Sequence, residues 1–101
     1  MIMNLPTNQI DLEGASPTII QACNFLFGVA ELLLEKNKKY GDSAANPMRV
    51  FSKASAREQI LVRIDDKLSR ISKGVGLLGT DEDVVKDLVG YLALLAAVTK
   101  E

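Results

Sequence analysis

Between Pro17 and about Lys39 the sequence repeats apolar residues every three or four positions, on two adjacent rows. Ile19, Cys23, Leu26, Ala30 and Leu33 make one row, and Ile20, Phe27 and Leu34 make the other. The helical period merges both rows into one surface that covers well over half the circumference. Asn24, Glu31, Glu35 and Lys38 are left as a narrow polar stripe. Such a helix belongs at the centre of a bundle or against another subunit. Ser16-Pro17 reads as an N-cap followed by proline in the first turn. Lys36 to Lys39 brings positive charge to the C-terminal end, as the macrodipole favours, and Tyr40-Gly41-Asp42 reads as the stop. The most apolar stretch, Thr18 to Leu34, is broken by Gln21, Asn24, Gly28 and Glu31, and reads as too short and too polar to cross a bilayer.

Two further helices are expected. One runs from about Ser55 to Lys73 with Leu61, Ile64, Leu68 and Ile71 as its seam. The other runs from Thr80 to about Thr99 with Val84, Leu88, Leu92 and Leu95 on one face. Asn46-Pro47 can start a short turn of helix through Phe51, and Gly74 to Gly79 reads as a flexible connection. Residues 1–15 are expected to form an irregular arm, because Pro6, Asn8, Asp11 and Gly14 are turn formers and no period is visible. Residues 16–101 are expected to form one domain. The fold class that follows is all-α: three main helices plus a short connecting helix. A chain of 101 residues with 48% hydrophobic residues is expected to complete its core by oligomerising.

Composition narrows the chemistry. The chain has 12 basic and 13 acidic residues, a net charge of -1. No overall positive field draws it to a nucleic acid polymer or an anionic membrane. It has no His, which removes His-based acid–base catalysis and His-liganded zinc. Its single cysteine, Cys23, cannot form an intramolecular disulfide and is expected in the core. No basic segment followed by an apolar one marks the N-terminus, so a cytoplasmic location is expected. Catalysis, if present, must use carboxylates, Lys or Arg, hydroxyls or a hard metal ion.

The carboxylates admit two readings. Measured from the seam of the second helix, Glu58 and Asp65 fall on one flank, whereas Asp66, Arg63 and Arg70 point nearly away. Asp83 and Asp87 share a face of the third helix at i, i+4. Two helices each presenting two acidic groups can hold Mg²⁺, which prefers oxygen ligands and keeps waters and substrate phosphates alongside. In the simpler reading, Ser55-x-x-Glu58 is a capping box, Thr80-x-x-Asp83 resembles one, and Asp66 pairs with Arg63 and Arg70 on a solvated face. Asp87 fits this second reading least, being a carboxylate in mid-helix between apolar neighbours. Lys38, Lys39, Arg49, Lys53, Lys67 and Arg70 either neutralise a polyphosphate or simply solubilise the helices. Gly74-x-Gly76-x-x-Gly79 has the spacing of a dinucleotide fingerprint but follows a helix, not a strand, so that reading is rejected.

Three segments together carry a resemblance. They are Lys39-Tyr40-Gly41-Asp42, the run Arg63-Ile64-Asp65-Asp66-Lys67-Leu68-Ser69-Arg70-Ile71, and Asp83 to Asp87 followed by Gly90-Tyr91. Their order and spacing resemble small phage and prophage members of the MazG-like, all-α NTP pyrophosphatase superfamily, over about residues 25–96. The resemblance implies a homodimer or homotetramer that hydrolyses a nucleoside triphosphate to a monophosphate and pyrophosphate with Mg²⁺. It implies Glu58, Asp65, Asp83 and Asp87 as metal ligands, with one of Glu58, Asp65 and Asp87 as the base for the attacking water. It implies Lys67 and Arg70 on the phosphates, and Lys39, Tyr40, Asp42 and Asn46 at the nucleotide end. The family pairs its acids as ExxE and ExxD, whereas here Glu58 pairs with Asp65 at i+7, or alternatively with Asp66, and Asp83 pairs with Asp87 at i+4. That departure favours an alternative, a protein that binds a nucleotide, such as a defence signal, without hydrolysing it. A third reading is a structural helical oligomer. Gly90, and Gly28 with it, are expected to let a neighbouring helix or a ligand approach closely.

Overall fold

The computed structural model describes residues 2–4, 9–47, 52–74 and 83–99. Three helices pack together in it: α1 (Pro17–Tyr40), α2 (Ala56–Ser72) and α3 (Val84–Thr99). Each begins where its sequence supplies a cap. Ser16 Oγ accepts the Ile19 N–H at 3.3 Å, with Pro17 at the first helical position. Ser55 Oγ accepts the Glu58 N–H at 3.1 Å. Asp83 Oδ1 accepts the Lys86 N–H at 2.8 Å. Each bond satisfies a donor that the first helical turn leaves open. Gly41 ends α1 at φ 67°, a left-handed value that glycine adopts without strain, and Asn37 Nδ2 donates to its carbonyl at 3.3 Å.

The helices form an open layer with α3 in the middle. Both α1 and α2 pack on α3, and the backbones of those two do not approach each other closely. The sequence reading gave the central place to α1 as one of two options. The structure gives it to α3, whose only charges are Lys86 and Asp87. A helix apolar nearly all round can serve two neighbours, and α3 has the broader apolar surface for its length. Val84 is fully buried. Gly90 is buried too, against Val29 and Leu33 of α1.

The seam of α2 also differs from the expected one. Ile60 and Ile64 are buried, but Leu68 is half exposed. The stripe facing α3 is Ile60, Ile64, Lys67 and Ile71, not Leu61, Ile64, Leu68 and Ile71. It is rotated by about 50° at 100° per residue. Apolar residues at 60, 61, 62, 64, 68 and 71 make a face too wide to fix its own centre, so contact with α3 chooses it. Leu92, expected on the inner face of α3, is 46% exposed.

The arm, expected to be irregular, contains a short hairpin. β1 (Ile2–Asn4) and β2 (Gln9–Asp11) form an antiparallel pair in register Ile2↔Asp11, Met3↔Ile10 and Asn4↔Gln9. Three-residue strands are too short for an alternating pattern to stand out. An Asx turn follows, in which Asp11 Oδ1 accepts the Glu13 N–H at 2.9 Å, and Leu12 is buried. The short helix expected through Phe51 falls mostly on residues outside the described ones. So does most of the glycine run at 74–79. The sequence reading starts the third helix at Thr80, whereas α3 starts at Val84 with Asp83 before it as the cap. Within the described loop, Asn46 N–H returns to the Asp42 carbonyl at 2.9 Å.

A Cβ built on Gly90 meets Leu33 Cδ2 at 3.7 Å and Val29 Cγ1 at 3.8 Å, both ordinary contact distances. The position therefore does not require glycine for close approach, contrary to the expectation. Gly90→Ala should raise stability by about 0.5–1 kcal/mol through helix propensity. Urea unfolding at fixed protein concentration measures this, and a loss of stability would mean that α1 needs to come closer than this packing shows.

Candidate functional site

The C-terminal end of α1, the loop after it, the first half of α2 and the middle of α3 enclose a cleft of about 640 Å³. Tyr40, Gly41 and Asp42 come to it from the first of the three quoted segments, Arg63 from the second, and Asp87, Gly90 and Tyr91 from the third. Leu32, Leu33 and Leu94 give it an apolar wall, while Lys36, Asn37 and Gln59 add polar groups. The volume lies in the range that accommodates a small organic ligand. Lys36 and Arg63 bring two positive charges, and Asp42 and Asp87 bring two negative ones.

Asp87 is tied into the helix interface. Its Oδ2 lies 3.6 Å from Lys67 Nζ, with the lysine side chain 13% exposed and the aspartate 28%. Lys67 occupies a seam position where an apolar residue would be usual, and its stem packs between α2 and α3 while its ammonium reaches Asp87. Asp66 approaches the same ammonium at 4.0 Å and forms an ion pair with Arg70, whose Nε lies 3.5 Å from its Oδ2. The pairing of Asp66 with Arg70 was expected. The Lys67–Asp87 pair was not, and it explains the mid-helix carboxylate that fitted the simpler reading least.

The other acids do not converge on Asp87. Glu58 is exposed at the start of α2, its Oε1 3.9 Å from Arg57. Asp65 is exposed on the outer side of α2. Asp83 is half-buried, and its Oδ1 is used in capping α3. Among the described residues no group of three or more Asp, Glu or Cys side chains gathers as a metal site. The set Glu58, Asp65, Asp83 and Asp87 thus does not fit a four-carboxylate Mg²⁺ centre in this arrangement. The rotated seam accounts for this. It moves Glu58 and Asp65 to about 130–150° from the core direction and brings Arg63 to about 70° from it, on the cleft side.

The residues implied for the nucleotide end are partly assembled. Tyr40 and Asp42 line the cleft. Asn46 does not, and instead donates from Nδ2 to Asp42 Oδ2 at 3.1 Å, bracing the loop. Lys39 Nζ lies 5.3 Å from the centre of the Tyr40 ring, a cation–π contact. Lys67 does not line this cleft; it borders a second hollow of about 520 Å³, which shares Gln59 and Arg63 with the first and also has Asp66 in its wall. Arg63, Gln59, Lys36, Asn37, Ser43 and Tyr91 are among the cleft residues that the sequence reading did not select. Arg63 and Tyr91 stand within the quoted segments, which was the available signal.

No known family model matches this chain, and no similar curated protein or solved structure is found.

The interface pair has a measurable consequence. Asp87→Ala leaves the Lys67 ammonium without its α3 partner and should cost about 1–2 kcal/mol. Adding Lys67→Met places an apolar chain at the seam and should recover most of that loss. Urea unfolding of both variants decides the matter. A double variant as unstable as the single one would show that Lys67 is held there for some other reason.

Proposed function

We propose that this protein binds a nucleoside phosphate in the three-helix cleft, as a small relative of the MazG-like NTP pyrophosphatases. One observation carries the reading. The three separated segments on which the resemblance rests all contribute side chains to the same cleft. Tyr40 and Tyr91 with the leucine wall suit a base and sugar, while Arg63 and Lys36 suit phosphate oxygens. The cleft's own charges nearly cancel, so it is suited to a ligand whose charge is partly neutralised, either by few phosphates or by a bound cation.

Mg²⁺-dependent hydrolysis to a monophosphate and pyrophosphate is the second reading. Two carboxylates, Asp42 and Asp87, face the cleft, and Mg²⁺ is commonly held by one or two carboxylates together with substrate phosphates. The scattered positions of Glu58, Asp65 and Asp83 favour binding over hydrolysis as the first reading. The homodimer or homotetramer that the resemblance implies belongs to this proposal as well.

The test is incubation with NTPs and dNTPs, with Mg²⁺ or with EDTA. Binding is followed by equilibrium dialysis, and products are resolved by anion-exchange chromatography. Ligand bound and recovered intact under both conditions supports the binding reading. A monophosphate and pyrophosphate formed only with Mg²⁺ supports the second. No retention of any nucleotide overturns both. Arg63→Ala, a substitution at an exposed position, should keep the helical circular dichroism and weaken retention roughly tenfold or more.

A further inference from the structure

The cleft and the second hollow meet along one row of α2. Going round that helix from Ile60, Arg63 follows at about 60°, Gln59 at about 100°, Asp66 at about 120° and Val62 at about 160°. The two linings keep this order. Ile60 belongs to the cleft alone, Arg63 and Gln59 belong to both hollows, and Asp66 and Val62 belong to the second alone. Gln59 and Arg63, one turn apart, therefore form a ridge with a hollow on each side. Lys67 of the second hollow and Asp87 of the cleft, 3.6 Å apart, continue the boundary. At about 640 and 520 Å³, each hollow lies in the range that holds a small organic ligand. Hydrogen bonds fix the far wall of the second, where Gln59 Nε2 donates to the Ala54 carbonyl at 3.0 Å and Ser52 Oγ accepts the Ala54 N–H at 3.1 Å. The far wall of the cleft is α1. By length and composition alone α1 would also cross a bilayer, contrary to the sequence reading of its shorter apolar stretch, yet its C-terminal turns line the cleft.

The ridge holds an available charge. Arg57 pairs with Glu58 and Arg70 with Asp66, whereas the Arg63 guanidinium has no ion pair or hydrogen bond among the described residues. The nearby acids are engaged, Asp87 with Lys67, Asp42 with Asn46 and Asp66 with Arg70. A phosphate on the ridge can thus take two parallel N–H donors from Arg63. The acids still oppose a highly charged group. A terminal phosphate carries about −1.5 to −2 at neutral pH, whereas a phosphate esterified on both sides carries a single charge.

We propose that the two hollows are halves of one site, and that its ligand is a pair of nucleosides joined through phosphate. The phosphate bridge lies on Arg63. One nucleoside lies in the cleft, against Tyr40, Tyr91 and the leucine wall. The other lies in the second hollow, with its hydroxyls toward Asp66 and Ser52. This proposal rests on nucleotide binding in the cleft and extends it across the ridge. Once one half is bound, the other binds as part of the same molecule, so its contacts add affinity without a second loss of translational freedom.

Equilibrium dialysis of the full chain tests this, against dinucleoside monophosphates, dinucleoside diphosphates and the corresponding mononucleotides. At least one bridged compound should bind about tenfold or more tightly than the mononucleotide of the same base. Val62→Trp, at a rim position 65% exposed on α2, fills the second hollow and should keep the helical circular dichroism. It should remove the advantage of the bridged compound and leave mononucleotide binding in the cleft as it was. Equal affinity for bridged and single nucleotides overturns the two-part site while the mononucleotide reading stands. A preference for the bridged compound that survives Val62→Trp also overturns it, because the second nucleoside then lies elsewhere. Retention of neither kind of compound overturns both proposals.

Discussion

The packing of α3 between α1 and α2 is the constraint on which the described structure depends. The backbones of the two flanking helices do not approach each other closely, so each is held in place by its packing on α3. The two faces of α3 are held differently. Toward α2, Ile60 and Ile64 supply the buried apolar residues of that helix, and the Lys67–Asp87 pair joins it to α3. Toward α1 the contact is made at Gly90, against Val29 and Leu33. One interface thus combines apolar burial with a charge pair that penalises a shifted register, because a slip would strand a half-buried charge. The other is a plain apolar contact.

The cleft is a consequence of this open arrangement. Because α1 and α2 diverge from their shared partner, a space remains between them. The loop after Gly41 closes one end, braced by the two Asp42–Asn46 hydrogen bonds. The same openness that makes a ligand-sized hollow on one side of α1 leaves Ile19, Leu26 and Leu34 exposed on another. Among the described helices, α3 is the one that packs on α1.

The places where the sequence misleads share one cause. On α2, six apolar positions spread over a wide sector define several possible seams, and a 50° difference in the choice exchanges acids for a base at the site. Taking Leu61 and Leu68 as inward puts Glu58 and Asp65 near a groove. The packing turns Ile60 and Lys67 inward, which sends those acids outward and brings Arg63 to the cleft. A lysine at a seam position is the residue that simple apolar counting passes over, since its stem counts as core and its head does not. The hairpin escaped for a different reason, because three-residue strands carry too little pattern.

The sequence by itself marked the three helices, the Ser16 and Ser55 caps and the stop at Gly41, all of them local effects of a few neighbouring residues. It set the third helix's start at Thr80, where the structure starts α3 at Val84 behind Asp83. It also marked, through three separated segments, residues that meet at one cleft. Only the tertiary structure decided which helix is central, which way α2 is rotated, and which carboxylate is paired. Those outcomes depend on non-local contacts, in which one helix's broad apolar face is oriented by the particular shape and charge of another.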